Sequence, residues 1–87
     1  MNELELLRKQ IDEIDQEICL LFKKRMGVVK KIGEYKKSNS LDVLDASREE
    51  IVLENARKRI ENEELIEYYL ELVKSLMDIS KKYQKTL

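Results

Sequence analysis

Apolar residues recur at 3,4 spacing from Leu4 through Leu7, Ile11, Ile14, Ile18 and Leu21, and the same register resumes at Val28, Ile32 and Tyr35. A stripe sustained that far predicts one long helix with a single apolar seam. One seam position, Arg25, is a cation. Asn2 stands where an N-cap belongs, with Glu5 at N3. In "KSNS", residues 37 to 40, periodicity and helix propensity fade together, so a loop is expected over roughly 38 to 45.

A second helix is expected from "DASREE" to about Ile60. Ser47 and Glu50 have the spacing of a capping box, and Asp45 offers a competing cap half a turn earlier. Asn62 in "NEEL" is placed to cap a third helix. Its stripe of Ile66, Tyr69, Leu70, Val73, Leu76, Met77, Ser80, Tyr83, Gln84 and Leu87 runs to the C-terminus. The pattern predicts an all-α fold of three helices, one long and two shorter, in one domain over residues 1–87.

Length sharpens this picture. A first helix of about 34 residues spans roughly 50 Å, whereas a compact chain of this size has a radius of gyration near 12 Å and a diameter of about 30 Å. A bend at Gly27 or Gly33 would shorten the helix, since glycine in a helix interior costs about 1 kcal/mol relative to alanine. The register of Val28, Ile32 and Tyr35 across both glycines argues instead for a partner chain, hence an intertwined homodimer.

Composition narrows the function classes. The 87 residues are 43% apolar and 40% charged, with no proline and two glycines, the profile of a small helical domain. The 17 basic and 18 acidic residues are interspersed, so the clustered cations of a nucleic-acid binder are missing. A lone cysteine and no histidine leave no transition-metal cluster and no intramolecular disulfide. "MNELELLRKQ" is charged throughout, and no apolar run reaches the roughly 18 residues of a membrane span, so a cytoplasmic protein is expected.

Several polar residues interrupt apolar faces. Desolvating the Arg25 guanidinium costs several kcal/mol unless it is paired, about enough to demand a reason for its place. It could pair with Asp15 or Glu17, snorkel to water, or hold a carboxylate or phosphate ligand in a bidentate fork. Lys36, three turns on, shares its face about 16 Å away. Arg8 lies about 25 Å away on the same helix, out of reach in cis but within reach in an antiparallel dimer. Ser80 and Gln84 continue the stripe of helix 3, which suits either a polar site or a fraying end. Asp45, Arg48 and Glu49 open helix 2, where capping and the helix dipole account for the acids. The four tyrosines suit packing and Cys19 a small core position.

Taken together, "LRKQIDEID" with Arg8, Arg25 at its interval, "VKKIGEYK" ending near Lys36, "DASRE" and "SKKYQ" resemble the motifs of the all-helical chorismate mutase family over nearly the whole chain. The resemblance implies conversion of chorismate to prephenate, a Claisen rearrangement in phenylalanine and tyrosine synthesis, with no cofactor. It implies that Arg25 and a partner subunit's Arg8 grip the two substrate carboxylates, and that Lys36 serves one carboxylate and the ether oxygen. Gln84 would hydrogen-bond that oxygen, Asp45 and Glu49 would hold the ring hydroxyl, and Arg48 and Ser80 would support the site. Such a reaction needs a folded substrate conformer and donors aimed at the charge growing on the breaking C–O bond. The proline often present before helix 2 in relatives is missing, and Met26 replaces a second basic residue. The same fold also serves isochorismate-pyruvate lyases, whose loop lacks the acidic pair, and a non-catalytic dimeric helical module would share the heptads and caps.

Overall fold

A computed structural model describes residues 2–87, and three helices account for most of them. Helix α1 runs Glu3–Ser38, α2 Ala46–Ile60 and α3 Ile66–Gln84. The start of α1 is capped as its sequence implies, with Asn2 Oδ1 accepting from the Glu5 backbone N–H at 2.8 Å. Its end is a Schellman motif: Leu41 N–H reaches the Lys36 carbonyl at 2.8 Å and Ser40 N–H the Lys37 carbonyl at 3.3 Å. Ser40 takes the left-handed conformation at φ 55°, where glycine is the usual residue.

Two caps differ from expectation. Asp45, not Ser47, caps α2, accepting from the Arg48 backbone N–H at 3.1 Å. Ser47 instead donates its hydroxyl to Asp45 at 2.8 Å, so the capping box with Glu50 does not form. Asn62 holds a turn rather than a helix end: its Oδ1 accepts from Glu64 N–H and its carbonyl from Leu65 N–H, and α3 starts only at Ile66.

Helix α3 is the central element and packs on both α1 and α2. Ala56 of α2 is fully buried against Leu70 and Val73, with Val52, Leu53, Ile66, Tyr69 and Met77 around them. Burial along α3 follows its stripe, and Ser80 and Gln84 are buried with the apolar residues rather than frayed at a wet end.

Helix α1 is unbroken across both glycines. The chain is therefore elongated, 56 × 27 × 15 Å, with a radius of gyration of 16.3 Å, well above the ~12 Å of a compact chain this long. Only the part of α1 from Arg25 onward meets α3, with Val29 and Gly33 as its buried residues. The seam residues Val28, Ile32 and Tyr35 lie one position off that contact and remain exposed, as do Leu4, Leu7, Ile11, Ile14, Ile18 and Leu21. Cys19 is exposed rather than in a core. Tyr35 and Tyr68 are exposed as well, while Tyr69 and Tyr83 are half-buried and the Tyr69 hydroxyl accepts from Arg59. No helix of the described residues is long and apolar enough to cross a membrane.

Candidate active site

The last turns of α1, the loop before α2, the first turns of α2 and the end of α3 surround one cavity of about 190 Å³. Seven of the eight residues singled out from sequence line it: Arg25, Lys36, Asp45, Arg48, Glu49, Ser80 and Gln84. Arg8 does not. It is exposed on the projecting part of α1, and seventeen residues of unbroken helix separate it from Arg25, about 25 Å of axial rise.

Helix geometry explains why these residues meet. Arg25, Val29, Ile32 and Lys36 fall at successive 4, 3 and 4 spacings, so one face of α1 carries both cations into the cavity. Ser80 and Gln84, one turn apart, do the same for α3. Arg25 forms no ion pair with Asp15 or Glu17, because a straight helix keeps those acids two or more turns below it. Its Nη1 donates instead to the Ser80 hydroxyl and, at 3.4 Å, to the Leu76 carbonyl. Ser80 gives its one proton to that same carbonyl at 2.7 Å, so the serine orients the guanidinium and leaves the other N–H groups of Arg25 free for an anion.

Lys36 and Gln84 are tethered in the same manner. Lys36 Nζ donates to the Val43 carbonyl at 2.8 Å, which anchors the ammonium to the returning loop and leaves two donors. Gln84 Nε2 donates to the Val29 carbonyl at 3.0 Å, fixing the amide plane with its second N–H still available. Each donor group is held by one bond and presents another. That is preorganisation, in which little reorientation remains to be done when charge develops nearby.

The acids come from the N-cap and first turn of α2. The Arg48 backbone N–H, then the Ser47 hydroxyl, hold the Asp45 carboxyl below its ordinary value of 3.8, and the Lys36 charge adds to the effect. Glu49 accepts from Lys81 Nζ at 3.0 Å, and this bond raises the Lys81 ammonium above its ordinary 10.5. Lys81 was not singled out from sequence, although it follows Ser80 directly and sits one turn before Gln84. Nor were the apolar walls Val29, Val43 and Val52, while Ile32 and Met77 enter the cavity from the apolar stripes of their helices. Four cations (Arg25, Lys36, Arg48 and Lys81) and two carboxylates line the cavity, which leaves a net charge of +2.

A cavity with this charge and these tethered donors fits a small dianion. The model of the family "Chorismate mutase type II" matches residues 7–85. The chain belongs to that family. A bifunctional chorismate mutase/prephenate dehydratase of Aquifex aeolicus is 32% identical over 90 residues, covering 94% of this chain. The chain spans only 25% of that relative's length. A solved structure, a conserved hypothetical protein from Pyrococcus furiosus, superposes with a TM-score of 0.78 at 36% identity over 97% of each chain. As a member of the chorismate mutase type II family, the chain places the matched segment across all three helices and every residue of the cavity.

Proposed function

We propose that this chain is a chorismate mutase, converting chorismate to prephenate, and that it works as a homodimer in which each cavity is completed by Arg8 of the other subunit. The observation that carries the reading is the tethering of Arg25, Lys36 and Gln84 around one cavity, each with donors to spare. Family membership and the chorismate mutase half of the Aquifex relative's name support it.

The roles follow from the donors left free. Arg25 grips one substrate carboxylate, and Lys36 reaches a carboxylate and the ether oxygen. Gln84 aims its second N–H at the same ether oxygen from α3. Negative charge builds on that oxygen as the C–O bond breaks, so its stabilisation by an ammonium and an amide lowers the barrier. Glu49 and the Asp45 region hold the ring hydroxyl, and Ser80 and Arg48 support the cationic wall. Folding the substrate's side chain over its ring between these anchors supplies the near-attack geometry that the rearrangement requires. The presence of both Asp45 and Glu49 in the cavity favours a mutase over a lyase of the same fold.

The dimer is supported by the exposed apolar row from Leu4 to Leu21 on a helix that projects beyond its own bundle. Isolated apolar stripes of that length are normally covered. An antiparallel neighbour would carry Arg8 toward the cavity.

The direct test is to mix the purified protein with chorismate in EDTA, follow the fall of its ultraviolet absorbance and identify the product by NMR. Catalytic formation of prephenate is the expected result. No turnover of chorismate, with turnover of isochorismate to pyruvate, would replace the reading with the lyase, and turnover of neither would leave a helical module.

A further inference from the structure

Glu49 does not stand alone in the cavity. Its carboxylate sits at the head of α2 with Lys81 of α3 across from it at 3.0 Å, and both side chains are about three-quarters buried. Lys81 is held from its other side by Asp78, one turn earlier, at 3.5 Å. An ammonium has three donors, so these two contacts fix its position and leave one N–H, while Glu49 keeps the lone pairs of its second oxygen. The pair therefore offers an acceptor and a donor within a few ångströms of each other, in the cavity that Arg25 and Lys36 also line. That arrangement complements a hydroxyl group, which gives one hydrogen bond and takes another.

We propose that Lys81 is a specificity-determining positioning residue: by clamping the Glu49 carboxylate between α2 and α3 it makes the site selective for a substrate bearing a ring hydroxyl. The inference rests on the mutase reading and deepens it. Without the ammonium, a glutamate on the first turns of α2 is free to swing into water. The cavity then loses its grip on the hydroxyl while keeping its grip on the two carboxylates and the ether oxygen, which belong to α1 and the end of α3.

The test compares kcat/KM for chorismate and for its analogue lacking the ring hydroxyl, using the wild type, Lys81→Met, Lys81→Arg, Glu49→Gln and the Glu49→Gln/Lys81→Met double variant. Far-UV circular dichroism verifies that each is folded. Lys81→Met is expected to lose about tenfold on chorismate, the cost of a weakened charged hydrogen bond, and to stay within about twofold on the analogue. Lys81→Arg should restore most of the loss, and Lys81→Met should cost nothing further once Glu49 is Gln. A Lys81→Met enzyme that falls equally on both substrates, or on neither, overturns the inference and leaves the mutase standing. A wild type that converts neither compound overturns the mutase reading and the inference with it.

Discussion

Gln84 crosses α1 directly over Gly33. A β-carbon at position 33 would stand 2.9 Å from Gln84 Cγ and 2.7 Å from Leu87 Cδ1, closer than real contacts of that kind. The missing side chain lets α3 approach until the Gln84 amide reaches the Val29 carbonyl, one turn before the glycine. Gly27, by contrast, faces open space.

The two glycines should therefore respond in opposite ways to the same change. Gly27→Ala is expected to raise stability by about 1 kcal/mol with unchanged turnover, as helix propensity dictates. Gly33→Ala gains the same propensity but must push Gln84 aside, and is expected to lower kcat roughly tenfold or more through a misplaced donor. Urea melts and steady-state kinetics on both variants check this. Equal kinetics for the two would show that the close approach is irrelevant to the site.

Arg25→Ala and Lys36→Ala each remove a tethered cation without removing core packing, since both side chains are only partly buried. Each is expected to lower kcat/KM by about a hundredfold to a thousandfold while the helical circular dichroism stays unchanged. An activity within tenfold of wild type for either would sink the assignment of the cavity.

Arg8 supplies a test of the dimer. Its single-chain surroundings are solvent, so Arg8→Ala should leave the fold alone yet inactivate the enzyme if the residue serves a neighbour's cavity. Unfolding and refolding equal amounts of Arg8→Ala and Arg25→Ala chains together should then recover about a quarter of wild-type activity, because half of the dimers carry one intact site of two. Sedimentation should give twice the 10.4 kDa chain mass. A monomer, or mixtures as inactive as their components, would refute trans donation.

Asp45 predicts an acid dependence of stability. Its carboxyl is held below 3.8 when folded, chiefly by the Arg48 backbone N–H. The contribution of the ionised cap is therefore complete above 3.8 and lost as pH falls through the lower folded value. Asp45→Asn keeps a capping oxygen that does not titrate. Thermal melts should show wild type above the variant at neutral pH and the two converging below about pH 4. A gap independent of pH would mean that the charge does not matter. Lys81 has the opposite sign: raised above 10.5 by Glu49, it contributes below that value and stops contributing as pH rises through the higher folded value.

Much of the site could be read from spacing alone because it lies on helices. Arg25 and Lys36 were placed on one face by the 3.6-residue period, and so were Ser80 and Gln84. Lys81 escaped because a lysine among many on a charged surface carries no periodic signal; only the arrival of α2's Glu49 makes it distinct. The choice between the two caps offered for α2 is likewise not decided within the segment. Both Asp45 and Ser47 satisfy the local rules, and in the folded chain Asp45 accepts from the Arg48 backbone N–H while the Ser47 hydroxyl donates to Asp45.

The sequence by itself determined three helices, their approximate ends, the polar positions on their inner faces and the excess length of α1, because these depend on periodicity and propensity within one segment. Only the tertiary structure decided which row of α1 meets α3. The seam of Val28 and Ile32, whose register argues for a partner chain, stays exposed beside the row of Val29 and Gly33 that is buried in the single chain. The physical reason is that two helices pack where their backbones can come close. A glycine beside a long amide allows that approach, and apolarity along one helix says nothing about the surface it will meet.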